Sequence, residues 1–281
     1  MKTLVLCLSL FIVQSISAKS ISELSEYPKF CEIAAKEDVI FQDFKRNPKY
    51  QYVLEHLDLN QGLDYLAVIT RSYPFILNKI EKFRENDRLG NPLTYYYGSL
   101  YGNLSPSTLR YMKVAGELVD LFGDLSNKKI IEIGGGYGGQ CKIISDLTGF
   151  NSYTLIDLPE CCLLAEKYLK TLNVNNTYFI SSRNLPTSPD RCRPKEKLYD
   201  LVISNYAFSE ITSDEQIEYI DKIINKSKSG YITCNFTSDF FYLTSLSLEE
   251  ILSLITIPGR KIQVLPEEPN SFPGNTLIIW D

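Results

Sequence analysis

Histidine is nearly missing from this sequence: His56 is the only one in 281 residues. A single imidazole rules out a His-His-carboxylate metal centre and counts against a Ser-His-Asp triad. His56 also lies far along the chain from the chemical motifs below, so acid–base chemistry is expected from carboxylates, tyrosines or lysines. Positive charge is in deficit too. The net charge is -5 and the pI about 5.2, so the basic footprint that nucleic acid requires is missing. No apolar run reaches the roughly 20 residues that span a bilayer, so no stable membrane span is expected. Internal repeats and low-complexity tracts are missing as well. Cysteines number seven, yet Cys31, Cys141, Cys161, Cys162, Cys192 and Cys234 follow neither a disulfide-framework nor a zinc spacing. No metal site is expected, and Cys141 and Cys234 fall in elements where cysteine behaves as a small core residue.

What is present fits a folded globular chain, with 44% apolar and 22% charged residues. Met1-Lys2-Thr3 leads into an uncharged, mostly apolar run from Leu4 to Val13, followed by small and polar residues from Gln14 to Ala18. A basic start, a short apolar run and a small residue at the cut form the layout of a secretory signal. Residues 1–18 are therefore expected to direct export, with cleavage after Ala18, although Ile16 is larger than usual for its place. A buried N-terminal element in a cytoplasmic protein is the alternative. Glycosylation sequons stand at Asn103, Asn175, Asn225 and Asn235, a pattern short enough to arise by chance.

Residues 22–123 read as helical, with apolar spacings of three and four at Leu63, Leu66 and Ile69 and at Phe75, Ile76, Ile80 and Phe83. Asn91 to Ser107 breaks the rhythm around Tyr95, Tyr96, Tyr97 and Tyr101. Pro106 after Ser105 starts a helix that Gly123 ends. From Lys129 short apolar runs alternate with helical stretches: Ile130–Ile133, Tyr153–Ile156, Tyr178–Ile180, Leu201–Ile203 and Tyr231–Cys234, with helices near 139–148, 160–172 and 214–227. That alternation predicts an α/β fold with a parallel sheet covered on both faces. Lys261–Leu265 and Asn275–Trp280 have no helix between them and predict an antiparallel hairpin at the sheet edge. The domain reading is a signal segment at 1–18, a helical cap and substrate region at 19–123, and a cofactor-binding Rossmann-like domain at 124–281.

The strongest motif runs from Ile131-Glu132-Ile133 through Gly134-Gly135-Gly136-Tyr137-Gly138-Gly139-Gln140, directly after the first strand of the α/β region and opening a helix. Glycines there allow a tight turn and a close backbone approach to a nucleotide-like ligand. Asp157 ends the next strand, where a carboxylate can accept both ribose hydroxyls. Gly134, Gly136 and Gly139 formally satisfy a dinucleotide fingerprint, so an NAD-dependent oxidoreductase or epimerase is a rival. Against it stand a charge at Glu132, the late start of the fold and the hairpin in place of a second mononucleotide half. S-adenosylmethionine fits better: Glu132 faces its cationic methionine end, Asp157 holds the ribose, and Ser181 and Ser182 lie where adenine should rest.

Several segments resemble the sugar O-methyltransferases. They are Asn91-Pro92, Tyr95-Tyr96-Tyr97, Ser105-Pro106, Arg110-Tyr111, the run from Glu132 to Gln140, Ile156-Asp157-Leu158-Pro159-Glu160, Ser204 to Glu210, and Pro273-Gly274-Asn275. The similarity covers residues 90–281. It implies a class I methyltransferase sheet of seven strands with the last hairpin reversed, S-adenosylmethionine as donor and a sugar or glycan hydroxyl as acceptor. The cofactor set read from motif and resemblance together is Glu132, Gly134, Gly135, Gly136, Gly138, Gln140, Asp157, Leu158, Ser181 and Asn205. The export signal is a departure, because the donor is made in the cytosol. It favours a third reading, a non-catalytic secreted protein that keeps the fold.

Methyl transfer to a hydroxyl gains from a base that takes the proton. Glu210 is the first candidate, Asp239 the second, with Tyr206 and Asn205 holding the acceptor or the methionine end. Glu210 could instead support a helix start, where Ser213 and Gln216 form a potential capping box. Tyr96, Tyr97, Arg110 and Tyr111 are candidates for the acceptor wall, and packing is an equal alternative for most of the tyrosines. A small-molecule or glycan substrate is the partner expected; oligomeric state is left open.

Overall fold

The computed structural model describes residues 19–185 and 198–281. Among the described residues six α-helices precede the main sheet: α1 (Tyr27–Lys36), α2 (Asp38–Asp43), α3 (Pro48–Gln51), α4 (Leu59–Ser72), α5 (Ile80–Phe83) and α6 (Pro106–Phe122). Short 3-10 turns join several of them. Between α5 and α6 a small antiparallel pair, β1 (Tyr95–Tyr96) and β2 (Asn103–Leu104), occupies the stretch where the helical rhythm fails. The start of α6 follows its sequence: the Ser105 hydroxyl accepts from the Thr108 amide at 3.1 Å and Pro106 fills the first turn.

The α/β region then runs β3 (Lys129–Ile133), α7 (Gly139–Leu147), β4 (Ser152–Asp157), α8 (Pro159–Thr171), β5 (Thr177–Ser181), β6 (Tyr199–Asn205), α9 (Ser213–Lys222), β7 (Ser227–Cys234), α10 (Leu248–Leu254), β8 (Gln263–Pro266) and β9 (Thr276–Trp280). The main sheet has the order β5-β4-β3-β6-β7-β9-β8. Strands β3 to β7 are parallel, and the β8–β9 hairpin is antiparallel, as the missing helix between its strands predicts.

Successive residues of the central strands serve two cores. Ile130, Tyr153, Leu155, Leu201, Ile203 and Tyr231 join α6, α7, α8 and the N-terminal helices in one cluster. Ile131, Ile133, Ile156, Val202 and Ile232 join α9 and α10 in the other. On the second side Trp280 is fully buried, and a Cβ on Gly230 would lie 2.0 Å from its ring. That position admits glycine for lack of space.

Two expectations are corrected. The helix foreseen at 214–227 stops at Lys222, because Ser227 already pairs with Tyr199 in the sheet. Ser213 and Gln216 do not form a capping box. Thr212 precedes α9 without a side-chain cap, and the Gln216 amide spans two loops, donating to the Phe208 carbonyl at 2.9 Å and accepting from the Leu246 amide at 2.6 Å. A capping box does occur at Ser247 and Glu250, which start the unforeseen α10.

Candidate functional site

Ligands in an open parallel sheet bind beyond the carboxyl ends of the strands, where neighbouring crossovers diverge. Here β3 and β6 diverge, and a cavity of about 410 Å3 lies there. Gly134 and Gly136 after β3, Asp157 at the end of β4, and Asn205, Tyr206, Ala207 and Glu210 after β6 line it. Asn235 and Asn275 close the far side. A recess of about 80 Å3 shares Gly134, Asp157, Ala207 and Glu210 and continues to Ser182 and Arg183 beyond β5.

Gly134 has φ +75°, and a Cβ there would approach that of Ala207 to 2.0 Å. The glycine therefore provides both a left-handed turn and close contact with the β6 loop. Asp157 pins this loop. One carboxylate oxygen accepts from the Gly136 amide and the other from the Leu158 amide, each at 2.7 Å. Burial raises its pKa to about 6, against the pull of these two amides.

Glu132 is buried behind the cavity wall and accepts from the Tyr153 hydroxyl at 2.9 Å. Burial raises its carboxyl to about 8; the Tyr153 hydroxyl opposes the shift and the Asp157 charge adds to it. The Asn205 amide lies near enough to favour the charged carboxylate but forms no bond of normal geometry, and its Nδ2 is buried without a partner. A buried donor left unpaired on a cavity wall is costly unless a ligand satisfies it.

Tyr206 sits at φ +71°, ψ -37°, a conformation rarely adopted outside glycine and asparagine. Its hydroxyl bonds the Glu267 carboxylate, and Asn275 Nδ2 donates to the same carboxylate at 2.8 Å. This network fixes the Tyr206 ring on the wall. Glu210 is partly buried and accepts from Asn235 Nδ2 at 2.5 Å; burial raises its pKa and Asn235 opposes.

The remaining candidates are dispersed. Ser182 lines the recess, whereas Ser181 pairs beside Asp157 and its hydroxyl accepts from the Arg183 amide at 3.3 Å. Gly135 and Gly138 face Leu155 and Leu169, off both walls. Gln140 turns inward and donates to the Tyr111 carbonyl at 3.1 Å. Leu158 lines only the recess. Of the acceptor candidates, Arg110 alone reaches the cavity. Tyr96 is 67% exposed on β1, Tyr97 is buried against Gly62, and Tyr111 packs edge-on against Tyr137. The Asp239 side chain lies outside the described residues, as do Cys7, Cys192 and the whole of 1–18.

The chief surprise is His56. It lines the cavity with Leu54, Leu57, Gln61 and Tyr65, brought there by the segment from α3 into α4. The expectation that it stays remote fails because distance in sequence says nothing about a helical layer folded over the sheet edge. Burial lowers its pKa, and the Arg110 charge lowers it further, so it is a neutral imidazole near pH 7. The capping box of Asp58 and Gln61, which aims α4, was a local signal for this placement.

Among the described residues no group of three or more His, Cys, Asp or Glu is placed to hold a metal, and no helix is long and apolar enough to cross a membrane. Cys31, Cys141, Cys161, Cys162 and Cys234 are buried free thiols.

No family model matches the chain, and no curated protein does. Solved structures similar to it include a mitomycin 7-O-methyltransferase at 16% identity, covering 62% of this chain and 55% of that one with a TM-score of 0.44. The chain thus spans about half the length of that enzyme. A SAM-dependent methyltransferase from Aquifex aeolicus shares 12% identity over 59% of this chain and 87% of its own, with a TM-score of 0.41. The methyltransferase domain of a bacterial Hen1 shares 13% over 61% and 96%, with a TM-score of 0.44.

Proposed function

We propose that the protein is an S-adenosylmethionine-dependent O-methyltransferase acting on a sugar-type hydroxyl. One observation carries the reading. A glycine loop pinned by Asp157 opens into a cavity shared with the β6 loop, on a sheet that ends in a reversed hairpin. That hairpin stands where a dinucleotide fold would place its second half, so the structure favours the sulfonium donor over NAD.

The residues present fit the donor. Asp157 has carboxylate lone pairs left for ribose hydroxyls, Ser182 and the recess extend beyond β5, and the unpaired Asn205 Nδ2 seeks an acceptor. Glu132 acts from behind the wall, through its position beside Asn205. When bound, S-adenosylmethionine supplies a methyl carbon whose bond to a cationic sulfur breaks as an acceptor oxygen attacks. Glu210, with its raised pKa and one oxygen free of Asn235, takes the proton of that hydroxyl. His56 is a second base candidate because it lines the same cavity as a neutral imidazole. The sugar class and the export reading of residues 1–18 are proposals on the same footing.

Calorimetry against S-adenosylmethionine and NAD tests the donor. Binding of the first alone is expected, and tight NAD binding without donor binding would overturn the reading. A labelled donor with a glycan extract, followed by mass analysis, identifies the acceptor. With that acceptor, Glu210→Gln should slow turnover on the order of a hundredfold or more while leaving donor affinity in place. A comparable loss in His56→Gln alone would move the base to the imidazole.

A further inference from the structure

The cavity wall holds one permanent positive charge among the described residues, that of Arg110. Its side chain reaches the wall from α6 and is 8% exposed. The guanidinium sits 5.4 Å from the ring centre of Tyr111 and 5.8 Å from that of Tyr206, and Nε is buried without a hydrogen-bond partner. No carboxylate among the described residues forms an ion pair with it. Glu55 and Glu210 are the acids near enough to feel its charge, yet the first is held by Ser107 and the second by Asn235. A buried guanidinium is normally paired, because desolvation of an unpaired charge is expensive. The aromatic faces and the Tyr111 hydroxyl, which lies near enough to favour the charged guanidinium, offset only part of that cost and leave Nε without a partner.

The planar fork of Arg110 matches a two-oxygen anion. Its charge balances one negative unit, and the other groups on the wall set the upper limit. His56 is neutral there, and Asp157 and Glu210 share the cavity. A phosphate ester would bring about two negative charges into this setting; a carboxylate brings one.

We propose that the acceptor carries a single carboxylate that pairs with Arg110, which makes the substrate a hydroxylated carboxylic acid such as an acidic sugar. This rests on the methyl-transfer reading for the role of the cavity, and it assigns the charge that reading leaves open. Tyr206 and Tyr65 flank the charged end, and Glu210 with Asn235 faces the hydroxyl end.

The test uses matched probes on the full chain, with and without S-adenosylmethionine: glucuronate, galacturonate, their uncharged amides, glucose, and glucose 6-phosphate. Binding is read by calorimetry and by the shift in melting temperature. At least one acid is expected to bind about tenfold or more tighter than its amide, which is about 1.4 kcal/mol, and tighter than the phosphate ester. Arg110→Gln should abolish that preference and Arg110→Lys should keep part of it. The proposal is overturned if neither acid is preferred to its amide, if the phosphate ester is preferred, or if the preference survives Arg110→Gln. The comparison of acid with amide in the unaltered protein needs no variant, so a misfolded Arg110→Gln leaves the test decisive. Absence of heat with S-adenosylmethionine would instead count against methyl transfer, whatever the acids do.

Discussion

Asp157 joins two tasks at one carboxylate, tying the glycine loop to the α8 start and facing the cavity. Asp157→Ala should therefore weaken S-adenosylmethionine binding by roughly 1–3 kcal/mol, read by calorimetry; unchanged affinity would remove the residue from the site. Glu132 gives a pH signature. Its carboxyl titrates at about 8 in the folded protein and near 4.5 when unfolded, so the native state binds more protons between those values. The contribution of Glu132 to stability is thus present below pH 4.5 and is lost as the pH rises towards 8. Melting temperature should fall across that window, and Glu132→Gln should flatten the fall. At this scale the sequence announced Asp157 and Gly134 because a loop motif demands their residue types. It set His56 apart from the site, where the structure places it on the cavity wall, and it looked to Tyr96, Tyr97 and Tyr111 for a wall that only Arg110 of that group reaches, because these positions depend on how the helical layer packs.

Elements announce themselves where local chemistry and tertiary packing agree. The start of α6 is the clearest instance. The Ser105 hydroxyl accepts from the Thr108 amide and donates to the Asp87 carboxylate at 2.7 Å, so one side chain caps the helix and ties it to the turn after α5. Ser105→Ala should lower stability by about 1–2 kcal/mol, visible as a lower urea midpoint with an unchanged slope. A changed slope would show instead that the denatured or native ensemble had altered. The central strands were legible because burial on both faces demands unbroken apolar runs. The true start of β7 was not, since Ser227, Ser229 and Gly230 look like a loop until Tyr199 and Val202 are found beside them. The same blindness applied to Gln216, whose spacing after Ser213 imitates a cap while its amide serves two distant loops.

For the whole molecule, the two cores lie on opposite faces of the same five parallel strands. Neither core can lose its strands without exposing the other, so unfolding should be cooperative. Calorimetry of the unliganded protein is expected to give one transition whose calorimetric and van't Hoff enthalpies agree. Two transitions would mean that the N-terminal helices melt independently of the sheet. The sheet class and its reversed hairpin were readable from element order alone, because a missing crossover helix leaves only an antiparallel return. What order could not convey is that the N-terminal helices share the larger core and supply part of the cavity wall.

The Trp280 contact with Gly230 has an optical consequence. This is the chain's one indole among 19 tyrosines, and it is sealed on β9 inside the second core. Excitation absorbed by the phenols drains toward that single acceptor, so the protein's near-ultraviolet emission colour is a gauge of whether its closing hairpin is seated.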